Sequence, residues 1–318
     1  METIYFLVQQ TMLFSIPLLL VALGGMFSER SGVVNIALEG IMIIGAFTGI
    51  FFISRFGNLF SPTITLFIAI IISALSGLIF SLLHAYASIN MSADQVISGT
   101  ALNIFAPAFA IYVTRAIQVV QQISFVNNFR IESVPVLGNI PIIGNLLFKN
   151  AYITTYLGFI ILALSWFALY KTRFGLRLRS CGEHPQAADS VGINVYKMRY
   201  FGVAISGALA GIGGLVFVIP TSTNFNATVA GYGFLALAVL IFGQWKPIRI
   251  LYAAFFFGLM KTLASAYSGI PILSNLPISN SVYKMIPYIT TIIVLAFTSK
   301  NSQAPKASGF TMEIGGFF

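Results

Sequence analysis

Apolar runs long enough to cross a lipid bilayer recur along the chain, almost free of charge. They fall at about 4–26, 33–53, 62–88, 95–118, 151–170, 200–219, 233–244, 248–268 and 285–298. A hydrocarbon core about 30 Å thick needs roughly 20 apolar helical residues to cross it. Inside that core every peptide group must find its partner within protein, so only helices and closed barrels span it. The strict alternation of a barrel strand is missing, and each run is read as a helix. Of 318 residues only 8% are charged, against about 25% in a soluble domain. Such a chain cannot cover a water-facing surface, which excludes a soluble globular or disordered protein. The expected fold is all-α and polytopic, with about 8–10 transmembrane helices and short loops in a single domain over 1–318. The run at 233–244 is short for a full crossing and reads as a half-helix or one arm of a broken pair.

Charge gives the orientation. The net charge of +9 would suggest nucleic acid in a soluble chain. Here it reflects Lys and Arg retained in cytoplasmic loops, and no nucleic-acid partner is expected. The loop at about 171–199 holds Lys171, Arg173, Arg177, Arg179, Lys197 and Arg199 against Glu183 and Asp189, so it is expected in the cytoplasm. Lys246 and Arg249, and the C-terminal tail with Lys300 and Lys306, then fall on the same side. The Pro-, Gly- and Asn-rich segment at about 119–150 falls outside. Nine spans put the N-terminus outside too, unless a re-entrant piece near 131–148 or a break near 27–32 changes the count. The N-terminal run is too long, and lacks the basic flank, for a cleavable signal.

Several chemistries are excluded or unsupported. Cys181 stands alone, so neither an intrachain disulfide nor a cysteine-cluster metal site is possible. His84 and His184 have no zinc-protease spacing, and no metal site is expected. None of the eight lysines follows a glycine, so the Gly-Lys of a phosphate-binding P-loop is missing and the chain hydrolyses no ATP by that route.

Within the runs, Asn35 and Glu39 stand four residues apart, on one face if the second run is helical throughout. A carboxylate at the bilayer centre costs about 2.5–3.5 kcal/mol on insertion scales, so it turns to a polar interior. Lining a polar route and bonding a neighbouring helix both fit these residues. Asn103 admits the same two readings. Ser28-Glu29-Arg30-Ser31-Gly32 reads as a tight turn with a local ion pair. Ser92 and Gln95 match a capping box opening the fourth run, with Asp94 favouring the helix dipole. His84 reads as interfacial. Small residues four apart, Gly45 with Gly49, Gly207 with Gly211 and Ala210 with Gly214, let helices approach closely.

The most specific element runs from Cys181 to Asn194: Cys-Gly-Glu-His-Pro-Gln-Ala-Ala-Asp-Ser-Val-Gly-Ile-Asn. Gly182 reads as a break, Pro185 suits a first helical turn and Gly192 a C-terminal stop. A short helix between them has the shape to dock into a groove of another protein.

These residues carry a resemblance. The run Ser28-Glu-Arg-Ser-Gly-Val-Val-Asn-Ile-Ala-Leu-Glu-Gly40 resembles the signature of permease subunits of ABC importers in the ribose, branched-chain amino acid and nucleoside group. His84 to Asn90, Ala93 to Asn103, Ile140 to Phe148, Gly182 to Asn194 and Ser206 to Gly211 look like the nucleoside branch, and specifically its shorter permease. Ala37 and His184 stand where the pattern has Gly and Asn. The resemblance covers nearly the whole chain and implies a cell-membrane subunit that binds no cofactor itself. A longer permease would complete a heterodimer, and a separate P-loop ATPase would use ATP and Mg. An external or lipid-anchored binding protein would deliver the nucleoside, received partly by 119–150. Gly182, Glu183, His184, Pro185, Gln186, Ala187, Ala188, Asp189, Gly192 and Asn194 would form the helix that couples to the ATPase. Asn35, Glu39 and Asn103 would line the path. A sugar or branched-chain amino acid remains open as ligand, because a scaffold does not dictate what it carries. An ion-coupled secondary transporter using Glu39 and His84 is a second class, and an intramembrane enzyme a third, for which no catalytic motif is present.

Overall fold

The computed structural model describes residues 2–126, 128–133, 140, 144–267, 279–298 and 304–309. The helices are α1 (Glu2–Arg30), α2 (Leu38–Phe56), α3 (Pro62–Ile89), α4 (Gln95–Gln118), α5 (Ile153–Lys171), α6 (Arg173–Glu183), α7 (Pro185–Ser190), α8 (Val195–Thr221), α9 (Tyr232–Phe242), α10 (Pro247–Ala266) and α11 (Asn280–Thr298). Each of the nine apolar runs forms or contributes to a helix. Among the described residues, α1, α2, α3, α4, α5, α8 and α10 are long and apolar enough to cross a membrane. Helix α9, with 11 residues, is about 16 Å long, half a crossing as its length implied. Two short antiparallel ladders lie between spans. Strand β1 (Ile123–Ser124) pairs with β4 (Asn224–Phe225), and β2 (Arg130–Ser133) with β3 (Lys149–Tyr152), in register Arg130↔Tyr152 and Ser133↔Lys149.

Helix α8 is the axis, packed against α1, α2 and α3; α1 in turn packs against α10, α9 and α5. Burial separates inner from outer helices: 83% of the apolar window of α8 is buried, against 17% in α4 and 28% in α5. The small residues explain how α2, α3 and α8 come so close. A Cβ on Gly45 would meet the Gly211 Cα at 2.3 Å, one on Gly214 the Met42 carbonyl oxygen at 2.0 Å, and one on Gly77 the Gly207 carbonyl oxygen at 2.3 Å. No side chain fits there, and backbone rests on backbone.

Four expectations are corrected. The second run is not helical throughout: 33–37 carries no helix, so Asn35 precedes α2 while Glu39 lies in its first turn. The cap of α4 is Asp94, whose Oδ1 accepts from the Val96 and Ile97 N–H groups at 2.7 and 3.0 Å; Ser92 sits at φ +50. Glu29 and Arg30 do not pair with each other. Glu29 accepts from the Trp245 indole at 2.6 Å, and among the described residues the acid that Arg30 meets is Glu183, at 3.5 Å. Gly182 lies inside α6 and breaks nothing; the chain turns at His184, because the residue before proline avoids helical backbone. The glycine is needed for another reason, since a Cβ there would sit 2.3 Å from the Arg30 carbonyl oxygen.

The N-terminal part of α1 meets β3, where the Gln9 amide donates to the Lys149 carbonyl at 3.2 Å. The C-terminal end of α1 meets α6 and the turn at Trp245. The ladder of β2 with β3 and the α6–α7 region therefore occupy opposite ends of the bundle. A substitution pair checks the packing argument. Gly211→Val forces a Cβ to 2.2 Å from the Ser73 carbonyl oxygen and should lower stability by about 1–3 kcal/mol or more. Gly192→Ala meets nothing within 4 Å at φ +81 and should cost only about 1–2 kcal/mol for the left-handed backbone. Thermal unfolding in detergent should rank the two in that order.

Candidate functional site

Between α1 and α2 the chain runs extended beside intact helices. Gly202 of α8 packs on Ser31, and Asn35 reaches Ser206 of α8 at 2.9 Å. The stretch is therefore enclosed by protein, one of the conditions under which non-helical backbone is tolerated at membrane depth. Its peptide groups are met by side chains. The Val34 N–H donates to Gln95 Oε1 at 2.7 Å, and the Val34 carbonyl accepts from His84 Nε2 at 2.9 Å. The Ile36 carbonyl accepts from Asn103 Nδ2 at 2.8 Å, and the Gly40 N–H donates to Asn103 Oδ1 at 2.7 Å. Asn35 Oδ1 accepts from the Ala37 N–H at 3.2 Å, and the Ser28 hydroxyl donates to the Val33 carbonyl at 2.7 Å.

His84 is fully buried within the protein. A carbonyl only accepts, so Nε2 carries the proton, and Nδ1 of the neutral ring accepts from the Ser98 hydroxyl at 2.9 Å.

A second interruption meets the first. The chain enters α9 through Ala227, Ala230 and Gly231, all at positive φ, and the N-terminus of this half-helix points at Glu39. The carboxyl group accepts from the Gly231 N–H at 2.8 Å and the Gly233 N–H at 2.6 Å. Backbone amides and helix dipole together favour an acidic group at such an end, by about 0.3–2 kcal/mol. Gly233 is obligatory, because a Cβ would lie 2.4 Å from the Glu39 Cα. Asn35, Glu39 and Asn103 thus come together around one seam.

The other predicted group lies at the α6–α7 end. Thr172 caps α6, its hydroxyl accepting from the Gly175 N–H at 3.2 Å. Gly175, Leu178, Cys181 and Gly182 face inward at helical spacing while Arg177 is exposed. Helix α6, absent from the sequence reading, thus precedes the expected short helix. Helix α7 starts at Pro185 and stops in a Schellman motif: the Ile193 N–H donates to the Ala188 carbonyl at 3.1 Å and the Gly192 N–H to that of Asp189 at 2.8 Å. Asn194 caps α8 through the Lys197 N–H at 2.9 Å. Ala188 is the buried anchor; His184, Gln186, Ala187 and Asp189 are exposed. Glu183 reaches Arg30 at 3.5 Å, and Arg30 also donates to the Trp245 carbonyl at 3.1 Å.

Sequence reading gave His84 and Gln95 other roles and did not weigh Ser206 or Trp245. For His84, Gln95 and Ser206 the sequence signal was polarity at helical positions, without the partner that gives it meaning; Trp245 lies in a turn.

Residues 7–295 match the family described as branched-chain amino acid transport system, permease component. The chain is 43% identical to the nucleoside ABC transporter permease protein NupC of Lactococcus lactis, over 97% of this chain and 96% of that one. It is 44% identical to the guanosine ABC transporter permease protein NupQ of Bacillus subtilis, over 95% of each. The nucleoside ABC transporter permease protein NupB of Lactococcus lactis is 25% identical, over 94% of this chain and 83% of its own length. No solved structure matches the chain. The chain belongs to this permease family and is a multi-pass membrane protein.

The seam makes a prediction. Glu39→Ala leaves the Gly231 and Gly233 N–H groups without an acceptor and should destabilise the fold by about 1–3 kcal/mol. Glu39→Gln keeps one oxygen acceptor and should cost less. Unfolding midpoints of the two variants in detergent measure the difference.

Proposed function

We propose that this chain is one of two permease subunits of an ATP-driven nucleoside importer. The supporting observation is the likeness over nearly the full chain to proteins named as nucleoside and guanosine permeases. NupB and NupC, both permease proteins from one organism, favour a second and longer permease as partner. A separate ATPase using ATP and Mg, and an external binding protein, complete the assembly. The α6–α7 end is cytoplasmic in this reading, and so is the C-terminal tail.

Helix α7, with its flanks from Gly182 to Asn194, is the coupling helix. It is short, opened by Pro185, closed by the Schellman turn at Gly192 and exposed on the side away from Ala188, as a docking element must be. A push on it passes through Gly182, which rests on the Arg30 backbone, into the end of α1 and the interrupted segment. Asn35, Glu39 and Asn103 border the route the nucleoside takes, and alternating access follows as the two permeases rock against each other. An ion-coupled mechanism has less support, since both ring nitrogens of His84 are engaged.

The test is purification of the tagged chain with its partners, then uptake in proteoliposomes. A second permease and a P-loop ATPase should co-purify, and ATP should drive uptake of labelled guanosine that other nucleosides, but not glucose or leucine, compete away. Uptake by the chain alone on an ion gradient would overturn the reading. In the same assay Glu183→Ala with Asp189→Ala should reduce ligand-stimulated ATP hydrolysis about fivefold or more. Membrane insertion should persist, because the Glu183 pair, 42% exposed at that side chain, contributes under about 1 kcal/mol.

A further inference from the structure

We infer that the C-terminal segment 304–309 is a strap that fastens the coupling helix to the interrupted segment, so that the two move as one body. The inference rests on the coupling role proposed above. After α11 the chain returns to the α6–α7 end, where the Ala307 N–H donates to the Gly182 carbonyl at 2.9 Å. The turn is closed locally, with the Ser308 N–H donating to the Pro305 carbonyl at 2.9 Å and Gly309 at φ +85. Pro305 and Ala307 are buried while Ala304 and Lys306 are exposed, so one side of the segment faces protein.

The same six residues touch the start of the interruption. The position a Cβ would take on Gly32 lies 3.4 Å from the Ala307 carbonyl oxygen, and that on Gly309 lies 3.6 Å from Val34 Cγ2. Val34 is the residue whose peptide groups Gln95 and His84 hold. The strap therefore binds α6 at one residue and the interruption at two.

Beneath it lies Arg199 of α8, 2% exposed, with Nε and Nη2 lacking a hydrogen-bond partner among the described residues. Nη2 is 3.1 Å from the Gly32 Cβ position. Unbonded N–H groups of a buried guanidinium are unfavourable. Arg199 thus does not hold this seam shut by hydrogen bonds, and packing together with the Ala307–Gly182 bond must. Without the strap, α6 would reach the interruption through Arg30 and by way of α8, and motion of α7 would dissipate in the loosened seam.

Two measurements test this. Spin labels at Ala304→Cys and Ser190→Cys, both exposed, report the distance between strap and coupling helix in the purified complex. Native Cys181 is buried and its thiol is pushed up by burial, so it resists labelling. One narrow distance, unchanged between the nucleotide-free and ATP-bound complex, is expected; a second population on adding ATP would overturn the strap. Deletion of 304–318 should leave ATP hydrolysis in place and lower guanosine uptake per ATP about fivefold or more, whereas an unchanged ratio would overturn it. If the shortened chain fails to assemble, the label pair decides. A wild-type complex without ATP-driven uptake would instead refute the proposed function, and the label distance, read on the protein alone, would still report whether the strap is fastened.

Discussion

The Glu39 carboxyl group, bonded to the Gly231 and Gly233 amides, joins two places where the chain stops being helical inside a bundle of helices. Both interruptions expose peptide groups that lipid could not satisfy. The first is met by Gln95, His84 and Asn103 from α3 and α4, and the second by Glu39 itself. Remove this set and neither the extended stretch at 33–37 nor the half-helix α9 has a stable place beside α8. The polar residues of an otherwise apolar chain are concentrated where backbone needs them.

That placement requires very close packing around it. Helices α2, α3 and α8 touch through Gly45, Gly77, Gly211 and Gly214, and only at that separation do short side chains such as Asn35 and Ser206 reach each other. Small residues and polar residues are thus two halves of one device. The first brings backbones together, and the second satisfies the groups that the interruptions leave open.

At the other end of α1 the contacts are of a different kind. Glu29 and Arg30 both meet Trp245, Arg30 also meets Glu183, and Gly182 rests on the Arg30 backbone. The helical end, the turn between α9 and α10 and the α6–α7 pair form one contiguous body. It abuts the interruption through the turn at Gly32. An event at α7 and an event at Glu39 are separated by a chain of direct contacts along α1 and 31–37, the physical requirement for a mechanical link between two sites.

Much of this was legible beforehand, and the misses have a common cause. The sequence by itself determined the membrane class, the apolar runs, the half-length of α9, the start of α7 at Pro185 and its stop at Gly192, and the close approach of the glycine pairs. Each of these follows from length, hydropathy or local backbone preference within one segment. Only the tertiary structure decided that 33–37 leaves the helix, that Glu39 caps α9 across 192 residues, that Glu29 pairs with Trp245 instead of Arg30, and that Gln95 serves Val34 instead of its own helix. A polar side chain in an apolar chain announces that it needs a partner. Which backbone group lies within 3 Å of it depends on how helices far apart in sequence pack together, and local patterning carries no record of that.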